Sequence, residues 1–173
     1  LVRRYGLDDA GSFAQFPATL KKVLDGADLL TATAAPVEGL APDFGILELA
    51  SIHDFATTIA RLKDVVTAQG DTVWFGEVDF QQEADDNGIT IAPATLLLFG
   101  GPAPGGVAMA EFPAIGLDAF CQKLLVYQDD SGAVQVIYND IAALAELHYG
   151  RSAKPHHALN ERLTQTFSSA VLK

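Results

Sequence analysis

The sequence predicts an α+β fold in which a small mixed or antiparallel sheet packs against helices, and three observations carry that expectation. A capped amphipathic helix at 51–70 lies between two strand-like segments. Residues 94–99 form a short run that is apolar on both faces. Two further strand-like segments flank Asp129-Asp130-Ser131-Gly132, a hairpin signal. These features follow one another from Phe44 to His148 without interruption, which places one α+β domain at 44–173 and leaves 1–43 as an N-terminal helical arm and linker.

The elements are expected in the following order. In the arm, Phe13, Phe16, Leu20 and Leu24 recur at helical spacing, Pro17 suits a first turn and Gly26 a stop. Residues 31–42, rich in Ala, Thr, Pro and Gly, read as a linker that packs on the domain or spaces it from something upstream. The domain opens with a strand at 45–49. Ser51 is the expected cap of the next helix, Asp54 suits its N-terminus, Phe55, Ile59, Leu62 and Val66 make one apolar stripe, and Gly70 ends it. Residues 72–80 alternate as a strand, with Trp74, Val78 and Phe80 on one side and Glu77 and Asp79 on the other.

Residues 81–88 are polar and acidic, a surface loop or short helix. The apolar run at 94–99 predicts a central strand covered on both sides. Gly100 to Gly106 then turn the chain, and 109–121 hold a short helix and a connection. Segments 124–127 and 134–138 form the hairpin. Asp140 caps a helix that runs through Ile141 and Leu144 to His148, and Leu159, Leu163, Phe167 and Val171 mark a last amphipathic helix.

Composition narrows the function. A chain of 173 residues with 49% hydrophobic content suits one globular domain with an appendage. Mean hydropathy is +0.21, yet no apolar run approaches the roughly 18 residues of a membrane helix. A net charge of −11 argues against nucleic acid and against anionic membrane surfaces. Cys121 is the single cysteine, which excludes an intramolecular disulfide and a Cys-pair zinc site, and its apolar neighbours predict a buried, inert thiol. The start at Leu1 rather than Met suits removal of an upstream segment, and abundant Ala with little Lys and Cys suits an exported or periplasmic bacterial protein.

Several phrases match a known pattern. Ser51-Ile52-His53-Asp54-Phe55 with Arg61-Leu62-Lys63, Pro93-Ala94-Thr95 leading to Phe99-Gly100-Gly101-Pro102, Leu117-Asp118, and Val136-Ile137-Tyr138-Asn139-Asp140 together resemble the bacterial and archaeal domain-of-unknown-function family 302. The resemblance covers about 45–148. It implies a compact α+β sandwich, often dimeric, with no settled activity. The chain departs from that family's usual residues at Phe80, where His is common, at Gly101 (Asn), at Gly106 (Thr) and at Ala119-Phe120 (Leu-Pro). No role attached to those family positions carries over.

The glycine- and proline-rich loop at 100–106 lacks the Lys-Ser/Thr of a phosphate loop, and its prolines remove amide donors, so it reads as a structural turn. The strand ends around it are expected to rim a pocket, with Phe99, Met109, Tyr138, Asn139 and His148 as candidate ligand-binding residues. His53 is expected at the surface. His148 lies on the stripe of Ile141 and Leu144, as a hydrogen-bonded buried histidine or a metal or haem ligand. Adjacent His156 and His157 diverge on a helix and could bind metal only with a neighbouring chain. Asp85-Asp86-Asn87-Gly88 lacks the spaced ligands of a calcium loop. Asp79 and Glu77 read as an acid–base pair or as a solvated sheet edge.

Two function classes follow. One is a non-catalytic ligand-binding or interaction domain, homodimeric, taking a small hydrophobic molecule such as haem with His148 or Met109 as axial partners. The other is an enzyme of unknown reaction whose polar site uses Asp79, Tyr138 and Asn139, which requires those three side chains to converge.

Overall fold

In the computed structural model of the chain the described residues are 18–20, 22–23 and 44–173. The chain divides into two units, residues 1–44 and 45–173. In the first, residues 18–20 and 22–23 are helical, and Leu20 is exposed. The expected roles of Phe13, Phe16, Pro17, Leu24 and Gly26, and the linker at 31–42, lie outside the described residues.

The second unit runs β1 (Ile46–Ala50), α1 (Phe55–Thr67), β2 (Val73–Asp79), α2 (Phe80–Asp85), β3 (Ala94–Gly100), α3 (Pro102–Met109), α4 (Ile115–Ala119), β4 (Gln122–Gln128), β5 (Val134–Asn139), α5 (Ile141–Tyr149) and α6 (Lys154–Val171). The five strands form one antiparallel sheet in the order β1-β5-β4-β3-β2. The fold is α+β, as the sequence predicts.

One sheet face carries the core. Leu97, Phe99, Leu124, Val126, Val134, Val136 and Tyr138 point to it and meet Leu62 and Val66 of α1 and Leu163, Phe167, Ala170 and Val171 of α6. Alternation on β3 therefore places Leu96 and Leu98, which are only half-buried, on the other face. The sequence predicts cover on both sides of this strand; among the described residues the helical core lies on one of them.

Local corrections have local causes. The cap of α1 is Asp54, whose carboxylate accepts from Thr57 N at 2.8 Å; Ser51 instead shares a 2.8 Å hydrogen bond with Thr58 Oγ1. The helix ends at Thr67 with Ala68 as its cap, before Gly70 is reached. In β2 the register shifts between Trp74 and Gly76, and Gly76 has φ 149°, which L side chains rarely adopt. The bulge makes Trp74 a partner of Phe99 and Val78 a partner of Leu96, so these two residues lie on opposite faces rather than one. Phe80 leaves the strand and opens α2.

The prolines of the 100–106 segment do not form a plain turn. Pro102 stands in the first turn of α3, where its missing N–H has no helical partner to lose, and Gly101 precedes it as the cap. Cys121 is exposed, not buried, since it precedes the inward-facing Gln122 at the start of β4.

Asp140 caps α5 through Ala143 N at 2.9 Å and Gly150 closes it with φ 66°. In the β4–β5 hairpin, Asp129 accepts from Ser131 N at 2.9 Å, Ser131 Oγ at 2.6 Å, Ala133 N at 3.0 Å and Gln135 Nε2 at 2.9 Å. These bonds, the Ser131 hydroxyl first and the Gln135 amide next, pull its pKa down from 3.8 to about 2. A carboxylate depressed on folding contributes stability above its unfolded value and loses it as pH falls through the folded one. Asp129→Asn is therefore expected to lower the melting temperature at neutral pH, with the gap to wild type closing between about pH 4 and pH 2. A gap that does not change with pH would remove this account.

Candidate functional site

The clearest concavity lies between α3 and the N-terminal half of α6. An outer groove of about 440 Å³ is lined by Pro104, Val107, Lys154, Pro155, Ala158, Leu159 and Arg162. A narrow slot of about 30 Å³ is lined by Phe99, Gly101, Pro104, Gly105, Phe120, Leu159 and Leu163, with Gln69, Thr72, Gln122 and Arg162 as its polar members. Pro104, Leu159 and Arg162 line both, so groove and slot are continuous.

The sequence builds this site in identifiable ways. Gly105 lets α3 settle on Phe120, because a Cβ there would meet that ring at 3.3 Å. Val107, 64% exposed, presents its side chain to the open groove. Arg162 donates to both carboxylate oxygens of Asp71, at 2.7 and 2.5 Å, and to Gln69 Oε1 at 2.5 Å. That clamp fixes the guanidinium at the lip. It holds the Asp71 carboxyl below the usual carboxylate range and raises Arg162 in turn, chiefly by the hydrogen bonds between them. Gln122, 5% exposed, points inward from the first position of β4 with no hydrogen bond to its side-chain amide among the described residues.

A second, polar cluster surrounds Asp118 of α4. His148 Nε2 lies 2.6 Å from Asp118 Oδ2, while Asn139 Nδ2 and Lys123 Nζ donate to the Asp118 carbonyl at 2.7 and 3.1 Å. The imidazole is partly exposed and sits at the C-terminal end of α5.

The candidate residues thus separate. Phe99 lines the slot. Met109 is half-buried and packs over Gly116, where an added Cβ would lie 2.5 Å from the Met109 methyl. Tyr138 is on the core face, 5% exposed and 2.8 Å from Thr164 Oγ1, and burial pushes its pKa up. Asn139 and His148 meet at Asp118, away from the slot lining. Neither of these two cavities is lined by Met109 or His148, the residues named as axial partners for haem.

Asp79 lies on β2, the opposite edge strand from β1 and three positions from β5, and caps α2 through Gln82 N at 3.0 Å. Glu77 pairs with Lys63 at 2.9 Å. Asp79, Tyr138 and Asn139 therefore do not converge, and that enzyme site is not assembled. His156 is fully buried, correcting its reading as a metal ligand for a neighbouring chain: Nδ1 accepts from Ala153 N at 3.0 Å and Nε2 lies 2.9 Å from the Ala108 carbonyl. His157 shares a 3.0 Å hydrogen bond with Ser152. Among the described residues no group of three or more His, Cys, Asp or Glu side chains is arranged to hold a metal ion.

Sequence reading missed Gln122, Arg162 and Asp118. The first two carried a signal: Gln122 takes an inward strand position alternating with Leu124 and Val126, and Arg162 stands beside Leu159 and Leu163 on the stripe of α6. Asp118 stood out only within the Leu117-Asp118 phrase, and its partners from β4, β5 and α5 were beyond local pattern.

With the geometry in place, comparison with known proteins gives a family. The model for "Domain of unknown function DUF302" matches residues 47–170. The chain belongs to the DUF302 family. The crystal structure of an uncharacterized conserved DUF302 protein from Bacillus stearothermophilus superposes with a TM-score of 0.58 at 16% identity, covering 72% of this chain and 97% of that one. At that identity the likeness concerns the fold. Among curated proteins, fluoride-specific ion channel FluC 1 of Brucella suis biovar 1 is 36% identical over 106 residues, which is 61% of this chain and 41% of the channel. FluC 1 of Brucella abortus biovar 1 shares the same identity over 38% of its length. This DUF302 chain thus spans about two fifths of those relatives. No described helix is long and apolar enough to cross a membrane.

Proposed function

We propose that this DUF302 domain is a binding module that takes a small apolar molecule in the groove between α3 and α6. The observation that carries the reading is the continuity of an apolar groove of about 440 Å³ with a slot reaching Phe99 in the core. Groove volume falls in the range of small-molecule sites, roughly 300–1,000 Å³, and its apolar walls supply affinity by removing ligand surface from water. We read the segment that the FluC relatives share with this chain as such a module carried within a larger protein. The test is fluorescence of the neutral dye N-phenyl-1-naphthylamine: it should rise with wild type and fail to rise with Val107→Asp, whose fold is checked by circular dichroism. Equal binding by both proteins would overturn the assignment.

A second reading concerns a partner, a second copy of the chain. Val78, Leu96, Leu125 and Ile137 lie in one row across the sheet face opposite the helical core, with Leu98 and Ile46 beside it. Glu48 ends that row and Lys123 stands in the next, so a twofold axis through the face offers each an opposite charge. Five strands at about 4.8 Å and six residues at about 3.3 Å give a flat footprint of about 480 Å², which side-chain relief brings near the smaller specific interfaces. Leu125→Asp is expected to shift a dimer to monomer in sedimentation equilibrium at micromolar concentration. A wild-type chain monomeric at 100 µM would exclude this use of the face (roughly the weakest association that a specific interface would show).

A further inference from the structure

We infer that the molecule taken by the groove is an amphipathic anion of the alkyl carboxylate class, its head seated in the slot and its chain lying along Val107, Ala158 and Leu159. This rests on the binding reading above and adds the chemistry of the head. Charge is the first argument. The chain has 22 acidic and 11 basic residues, yet the groove and slot are lined by two cations, Lys154 and Arg162, and by no carboxylate. Asp71 balances Arg162 through its paired hydrogen bonds, and Lys154 has no ion pair among the described residues. Lys154 lines the groove and not the slot, so the positive charge left over draws an anion into the concavity from a distance rather than pairing with its head.

The buried amide is the second argument. Gln122 is 95% removed from solvent, reaches the slot and has no partner for its side-chain NH₂ or carbonyl among the described residues. A buried amide without a partner is a cost that folding normally removes, and a ligand oxygen accepting from its NH₂ removes it. Gln69 offers no such opening, because its oxygen accepts from Arg162 and its nitrogen donates to the Val65 carbonyl. Size is the third argument. The slot, about 30 Å³, has room for about two water-sized groups, enough for a small polar head, whereas a ten-carbon chain needs the length of the groove.

Isothermal titration of the full chain with decanoate, decanol and decyltrimethylammonium at pH 8 separates the claims. Decanoate should bind about tenfold more tightly than decanol, through charge and hydrogen bonding to the head, and the ammonium should not bind. Gln122→Leu should bring decanoate down to the affinity of decanol, and Lys154→Glu should weaken decanoate by a smaller factor, while both leave decanol unchanged. Gln122→Leu should keep the wild-type melting temperature, since it removes an amide with no partner. Equal affinity of decanoate and decanol for wild type, or an undiminished preference in Gln122→Leu, would overturn the carboxylate assignment and leave the groove standing. No binding by any of the three would overturn the groove reading itself.

Discussion

His156→Ala is expected to destabilise the domain by about 4 kcal/mol, read as a drop in the urea midpoint without loss of two-state behaviour. The ring is fully buried and joins two elements: it accepts from Ala153 N, so its hydrogen sits on Nε2 and is donated to the Ala108 carbonyl at the end of α3. Truncation strands one backbone donor and one backbone acceptor, each at about 1–3 kcal/mol when left buried and unpaired. It also removes the edge contact with Phe112, whose ring centroid lies 4.5 Å away. His156→Phe separates the two contributions, because it fills the volume and leaves both backbone groups unpaired, and should still cost about 2–3 kcal/mol. A phenylalanine variant as stable as wild type would show that the hydrogen bonds contribute nothing. Since His156 anchors the start of α6 against α3, the elements that wall the groove, the alanine variant should also weaken dye binding before it unfolds.

The position of His156 shows what periodicity conveys and where reading it stops short. Helix α6 was legible from Leu159, Leu163, Phe167 and Val171, and all but Leu159 are fully buried or nearly so. Extending that stripe one turn back reaches residue 156, so a buried histidine was there to be found. His148, by contrast, shares a stripe with Ile141 and Leu144 but falls in the last turn of α5, where the layer ends and the ring meets Asp118 and solvent. The hairpin and the Asp140 cap were legible because both are built from neighbours in sequence.

What local pattern could not convey was anything fixed by a distant partner. One extra residue at the β2 bulge reverses the facing of every later side chain in that strand, and alternation alone gives no sign of it. The groove is a similar case. Pro104, Val107 and Gly105 read as loop residues until Pro102 is recognised as the start of a helix, and the facing wall comes from residues some fifty positions later. Phe99 was the one candidate placed in the slot, because a buried strand running into a glycine-rich segment does end at a cavity rim.

Phe167→Ala is expected to cost about 3–5 kcal/mol, the range for removing a buried phenylalanine. Its ring is 1% exposed and makes edge contacts with Tyr138 at 4.9 Å and Phe99 at 6.0 Å, so the loss includes two aromatic pairs as well as a cavity. Phe167→Leu keeps most of the volume and should cost less than half as much, which distinguishes a packing effect from a general intolerance of α6 to change. The consequence for binding follows from Phe99, which touches Phe167 on the core side and lines the slot on the other. With Phe167 cut back, the Phe99 ring can relax into the new space, and a slot of about 30 Å³ becomes large enough to take several carbons of the chain as well as its head. Phe167→Ala should therefore lose the preference for decanoate over decanol while still binding both. A variant that keeps the preference intact would mean that Phe99 is held by β3 and β4 alone, and that the core does not set the size of the slot.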